Sequence, residues 1–248
     1  MKRILIIALL LFAAAGMVFA QEFIGGTGPL RIELRASEIH VQDTGMEMVQ
    51  EVSVEKFETE GFWFSRMSSD DGYAVSRLFR GGPMDKEPIE AEEDLNIPDD
   101  FVLGTRVDYL RRGHHTFFIR PIRPIPIEGI TKEITMWVAG RNFNHDIVLL
   151  VQDYFGRDYE IYMGKVNHQG WKQLRVAIPP QSADGVNGVN QRSYHYNHQM
   201  GIKITGFKIV CDPVETYGSY YIYFDDLRAL TDLSAELLRD EDDMADGW

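Results

Sequence analysis

The stretch "YYIYFDDLRAL", residues 220–230, decides how this chain folds. Its aromatic and aliphatic side chains read as a buried strand until Asp225 and Asp226 stand side by side. Neighbouring side chains on a strand point to opposite faces. Two adjacent aspartates therefore cannot address one substrate atom unless the strand breaks between them. A glycosidase pair needs two carboxyls facing each other across a gap of about 5 Å or more, which strand neighbours do not supply. One aspartate with backbone carbonyls can hold a structural Ca²⁺ at a sandwich edge, which makes Asp225 and Asp226 the candidates for such a site. In the plainest reading, one aspartate bonds nearby backbone N–H groups and the other is solvated.

Outward from this stretch the chain is a series of strands. "EMVQEVSVEKF", "GFWFSRM", "YAVSRLF", "FVLGTRVDYL", "HHTFFIRPI", "ITMWVAG", "DIVLLVQDYF", "YEIYMGKV", "WKQLRVAI" and "GIKITGFKIV" precede it. Each is short, rich in β-branched and aromatic residues, and bounded by Gly, Pro, Asn or Asp. This spacing predicts an all-β fold, a jelly-roll-like antiparallel β-sandwich of roughly ten to twelve strands. In "WKQLRVAI", Leu174, Val176 and Ile178 share one side while Gln173 and Arg175 take the other, as in a half-buried strand. In "IKITGFKI" the apolar parity changes between Ile204 and Phe207, so Gly206 is expected at a bulge or bend. "RPIRPIPIEG", residues 120–129, has three prolines and reads as extended edge or linker. Residues 81–100 read as an exposed acidic excursion. "LTDLSAELLRD", residues 230–240, is the best helix candidate, with Leu233, Leu237 and Leu238 on its apolar face.

The expected organisation is a leader over 1–20, an N-terminal extension over 21–45, the sandwich over 46–232 and an acidic tail over 233–248. Lys2 and Arg3 precede an apolar run and small residues ending at Ala20, so cleavage is expected between Ala20 and Gln21. The apolar run is short for a membrane span, and the mature chain is expected to have none. The net charge is −13, and losing Lys2 and Arg3 takes it to −15. Such a chain is repelled by phosphate backbones, which argues against nucleic acid as a partner. Cys211 is the one cysteine, so no disulfide forms within the chain and the core must supply the stability.

No constellation points to catalysis. There is no G-x-S-x-G, and "GTG" at 26–28 and "GGP" at 81–83 are turn glycines rather than phosphate cradles. His195 and His198, and the adjacent His114 and His115, lack the convergent ligands that zinc requires. Cys211, followed by Asp212 and Pro213, reads as structural. No cofactor is expected. Trp63, Trp137 and Trp171 sit in strand contexts, where a core role is the default.

Charge is segregated along the chain. Residues 85–100 hold eight acids and one Lys, and residues 236–246 hold six acids and one Arg. Between them Arg106, Arg111, Arg112, Arg120 and Arg123 face a single Asp108. Solvated surface is the ordinary meaning of such runs. The sharper meaning is head-to-tail complementarity between copies, with those five arginines as interface candidates. Trp248 follows an acidic run and has no local core, so it is either a loose end or an aromatic anchor on a neighbour, and as the latter it is a further candidate.

"PIRPIPIEGI", "VAGRNFNH", "GWKQL", "YHYN", "GIKI" and "YYIYFDDLRA", taken together, resemble the FlaA family of spirochaete periplasmic flagellar filament outer layer (sheath) proteins. The resemblance is close over residues 100–248 and looser from Met46. It implies a non-enzymatic structural protein of the periplasm. Its partners would be core flagellins and other copies or paralogues of the sheath protein, and it would affect filament stiffness, shape and motility. The closing strands also resemble jelly-roll carbohydrate-binding modules, so a periplasmic carbohydrate-binding module is the alternative. A hydrolase using Asp225 with a distant carboxylate is a third reading.

Overall fold

The computed structural model describes residues 49–89, 92, 95, 97–182, 187–191 and 201–233. The eleven stretches expected as strands are strands. They are β1 (Val49–Glu55), β2 (Trp63–Met67), β3 (Gly72–Arg80), β4 (Phe101–Tyr109), β5 (Thr116–Pro121), β7 (Ile130–Ala139), β8 (Asp146–Gln152), β9 (Asp158–Lys165), β10 (Lys172–Ala177), β11 (Gly201–Val210) and β12 (Ser219–Asp232). The twelfth, β6 (Ile125–Glu128), comes from the proline-rich run. It pairs with β11 at the margin of its sheet, with Pro126 opposite Lys203, where a missing N–H is tolerated.

Two antiparallel sheets result. The first runs β10-β7-β12-β4-β3, with β1 also on β12. The second runs β2-β5-β11-β8-β9, with β6 also on β11. Strands β12 and β11 share one device: each changes partner where it bulges. β12 pairs β4 through Phe224, then β1 from Leu227, and its register against β7 shifts between Asp225 and Arg228. β11 pairs β6 through Ile204 and β5 from Phe207, with a shift against β8 between Ile204 and Gly206. The parity change read at Gly206 is this bulge. Gly206 has φ 134°, and a Cβ there would run into the Ile119 carbonyl oxygen. Gly206→Ala is expected to cost about 2 kcal/mol in urea unfolding, and a cost near zero would show that the bulge relaxes freely.

The core lies between the sheets and is joined by a ring stack. Phe224 of β12 stacks on Phe207 of β11 (5.6 Å between centroids, 6° between planes), and Phe207 stacks on Trp63 of β2 (5.6 Å, 18°). Phe57 also packs on Trp63, tilted, at 5.2 Å. Leu174 and Ile178 are buried while Arg175 is exposed, as the alternation of β10 predicted.

Two expectations are corrected. Leu230, Thr231 and Asp232 belong to β12 rather than to a helix, because they pair with β1 on one side and β7 on the other. Thr231 also donates its hydroxyl to the Glu128 carbonyl at 2.7 Å. The rest of that helix reading, from residue 234, lies outside the described residues. Residues 81–100 are not simply an exposed excursion: Pro83 and Ile89 are buried, and Lys86 is half-buried against β12. Among the described residues no helix is long and apolar enough to cross a membrane.

Candidate interaction surface

The bulge of β12 answers the question set by the paired aspartates. Before it, Ile222 and Phe224 point into the core; after it, Leu227 and Ala229 do. The parity switch is taken up at Asp226, which adopts φ 51°. Aspartate is among the few non-glycine residues that accept this left-handed geometry readily. Asp225 and Asp226 are both buried, 0% and 1% exposed, which corrects the reading that one of them is solvated.

Each has a cation supplied by the chain. Lys86 Nζ lies 2.7 Å from Asp225 Oδ2 and 2.7 Å from Asp99 Oδ1. Gly82 lets this loop come close, since a Cβ there would sit 3.1 Å from Asp225 Oδ2. Arg228 Nη2 lies 2.6 Å from Asp226 Oδ2, without hydrogen-bond alignment. The same guanidinium also reaches Glu51 and donates to the Glu87 carbonyl oxygen. Burial pushes the Asp225 carboxyl up to about 6, against the pull of Lys86. Burial alone would depress Lys86, but Asp225 and Asp99 outweigh it and hold the ammonium above its ordinary value. The Lys86 ammonium stands where a cation bridging Asp99 and Asp225 would sit. Among the described residues, no three His, Cys, Asp or Glu side chains are grouped to hold a metal ion.

Beside this plug, the outer face of the first sheet carries a groove. Two adjoining depressions of about 410 and 370 Å³ share Phe79 and Tyr223 as their common wall. Gly104 makes room for them: a Cβ there would come 2.6 Å from the Phe79 ring and 2.9 Å from Tyr223. The two rings meet edge to face above it at 5.8 Å. Arg141 covers Tyr221 at 5.0 Å and Tyr223 at 5.5 Å, and its Nη2 donates to the Tyr223 hydroxyl at 3.2 Å. Arg106 sits over Tyr221 at 5.9 Å and pairs with Asp108 at 2.9 Å. Arg77 and Arg80 complete the lining. Exposed Tyr, Phe and Arg on one face are the side chains enriched at interface hot spots.

The five arginines proposed from sequence do not form one surface. Arg106 lines the groove. Arg111, in the β4–β5 connection, is paired with Asp71 at 2.7 Å, and the neighbouring Arg112 covers Tyr217 at 5.0 Å. Arg120 is exposed on β5 of the other sheet, over Phe118, and Arg123 is exposed just beyond it. Ala20, Gln21, His195, His198 and Trp248 lie outside the described residues. Arg77 and Arg80 of β3 were not read as candidates because Arg106 and Arg141 are far from them in sequence and join them only through sheet pairing. One signal was present: "YAVSRLF" is apolar on both parities, so one apolar set had to face away from the core, and it is Tyr73, Val75 and Phe79 that do. Trp63 is in the core, and Trp137 and Trp171 are half-buried.

The remaining buried polar cluster is structural. His145 is fully buried; its Nδ1 accepts from the Asp212 N–H at 3.1 Å, so its Nε2 carries the proton toward the Tyr109 hydroxyl at 3.2 Å. Tyr109 also meets Cys211 Sγ at 3.2 Å, and burial pushes that thiol up to about 12. His115 is buried and His114 exposed, but both precede β5 rather than lying on a strand. Burial drives the His145 imidazole down to about 4. A depressed histidine contributes stability above its unfolded value near 6.5, and that contribution is lost as pH falls through about 4. Between pH 7 and 4 the chain should lose about 3 kcal/mol through this group. His145→Gln should flatten that acid limb in urea unfolding, whereas parallel curves would contradict the assignment.

The family model "Flagellar filament outer layer protein Flaa" matches residues 33–237. A flagellar filament outer layer-like protein of Brachyspira hyodysenteriae is 35% identical over 202 residues, covering 82% of this chain and 88% of that one. The flagellar filament outer layer protein of Spirochaeta aurantia is 31% identical over 105 residues, covering 42% and 31%. Among solved structures, TmCBM61 in complex with beta-1,4-galactotriose aligns at 12% identity with a TM-score of 0.40, over 73% of this chain and 99% of that one. A family 11 carbohydrate-binding module from Clostridium thermocellum aligns at 12% identity with a TM-score of 0.42, over 74% and 97%.

Proposed function

This chain belongs to the flagellar filament outer layer protein family, and from that premise we propose that it is a structural coat protein laid over the flagellin core of a periplasmic flagellar filament. The observation that carries this reading is the family match through residues 33–237. The chain would be exported by its leader, cut between Ala20 and Gln21, and assembled from the periplasm onto the outside of the filament. Its work is contact rather than catalysis. The sandwich presents two broad sheet faces, and its paired aspartates are held by Lys86 and Arg228 rather than opened to a substrate. As a stiff layer outside the core, the coat raises the bending stiffness of the filament and so affects its shape and motility. Its partners are core flagellins and further copies or paralogues of the sheath protein.

The test is sedimentation. Purified chain mixed with filaments stripped of their outer layer should pellet with them and saturate. Chain that stays in the supernatant at every filament concentration would contradict the reading.

A further inference from the structure

The groove on the outer face of the first sheet has a charge opposite to that of the chain around it. Its lining carries Arg77, Arg80, Arg106 and Arg141 against Asp108 alone, in a chain of net charge −13. Among the described residues only Arg106 of these four has a carboxylate within ion-pairing distance. Four arginines over an aromatic floor, most without an acid of their own, fit an acidic ligand that also carries apolar side chains.

The chain contains such a segment. Residues 236–248, "ELLRDEDDMADGW", hold six acids and one Arg, with Met244 and Trp248 among them. They follow β12, beyond Leu233. We propose that the groove of one copy receives residues 236–248 of a neighbouring copy, the carboxylates on the four arginines and Met244 or Trp248 against Phe79, Tyr221 and Tyr223. This rests on the coat reading and names how the coat would hold to itself.

The fold favours a neighbouring copy over the chain's own segment. Strand rise is about 3.3 Å per residue, which puts Tyr221 roughly 36 Å along β12 from Asp232. Chain stretched from Asp232 spans at most about 29 Å to Asp240 and about 58 Å to Trp248, so in cis the first acids fall short of Tyr221 and only the last residues, from about Met244, could pass it. Its path along the outer face is also occupied. The loop that carries Lys86 and Glu87 is fastened at Asp225 and Arg228, between the chain's exit and the groove. That loop is itself acidic, with eight acids between residues 85 and 100. A groove filled by the next copy's end is a heterologous contact. Repeated without closure it builds an open row, which is the geometry a coat requires.

The experiment uses two variants of the full chain in sedimentation-velocity runs. One carries Arg106→Glu and Arg141→Glu; the other carries Asp240→Asn, Glu241→Gln, Asp242→Asn and Asp243→Asn. The unaltered chain should self-associate with rising concentration, less so at high salt, and each variant alone should do so at least about tenfold more weakly. Mixed one to one, the variants should recover a dimer and nothing larger, because one good groove meets one good acidic segment. Synthetic peptide 236–248 should compete. The second variant changes no described residue, so a folding defect in the first leaves the test intact. Three results would overturn the proposal: self-association unchanged in both variants; a chain that stays monomeric while the second variant alone gains affinity for the peptide, which is binding in cis; and a groove that takes an oligogalacturonate probe but not the peptide. An unaltered chain that never self-associates yet still pellets with filaments would sink this proposal alone. Self-association without pelleting would sink the coat reading instead.

Discussion

Lys86→Met is expected to destabilise the chain by about 3–5 kcal/mol at pH 7, the usual cost of leaving one member of a buried ion pair without its partner. The Asp225 side chain is fully buried, and Lys86 is its ion-pair partner among the described residues. Without the ammonium, the buried carboxylate is left with the like charge of Asp99 nearby, and its raised value climbs further. The sign of the pH dependence follows. Asp225 has a folded value of about 6, above the ordinary 3.8, so its protonated form is favoured by the fold. That stabilisation is complete below about 4 and is lost as pH rises through 6. In Lys86→Met the loss continues above 6, so the deficit against the unaltered chain should shrink toward pH 4.5 and be largest at pH 7. Asp225→Asn in the same chain should restore most of it. Urea midpoints at the two pH values measure this. A Lys86→Met chain within about 1 kcal/mol of the parent at pH 7 would show that the pair is solvated and incidental.

Phe207→Ala should cost a similar 3–5 kcal/mol, through a different mechanism and with no pH dependence. Phe207 is fully buried and lies between Phe224 of one sheet and Trp63 of the other, stacked on both at 5.6 Å. Removing the ring leaves a void between two flat side chains that cannot close on each other without moving the sheets together. The adjacent bulge at Gly206 fixes the backbone there, so relaxation is limited. Phe207→Leu keeps most of the volume and should lose less than half as much. Loss of about 1 kcal/mol or less in Phe207→Ala would mean that the sheets repack and that the stack does not tie them.

His145 and Asp225 pull stability in opposite directions over the same pH range. Acidification takes away what neutral His145 contributes and relieves what ionised Asp225 costs. A nearly flat profile between pH 4 and 7 in the parent chain would therefore be two slopes cancelling, and each single variant should uncover the other.

Most of the fold was legible because burial on one face imposes a period of two, and residues such as Leu174, Val176 and Ile178 wrote it plainly. Gly206 was legible for the same reason, as the point where the period slipped. The second slip, at Asp225 and Asp226, was harder. The aspartates were visible, but what neutralises one of them is Lys86, 139 residues away along the chain. No local pattern reports a partner at that distance. The acidic composition of residues 81–100 hid the one lysine that pins them down. Leu233, Leu237 and Leu238 showed a helical spacing, and pairing with β1 and β7 prevailed over it at residues 230–232. The arginines of the groove stand on β3, on β4 and beyond the end of β7, so only the strand order brings them together. The arginine run at 106–123 was legible as charge, yet the structure distributes it over both sheets and a connection.

Cryo-electron microscopy of filaments isolated from cells with and without this chain decides whether it is a coat. The account predicts an outer shell of density that accepts the two-sheet sandwich, surrounds a helical core, and disappears or thins when the chain is absent. Filaments of identical diameter and density from both strains, with the chain recovered only from the soluble periplasmic fraction, would contradict it.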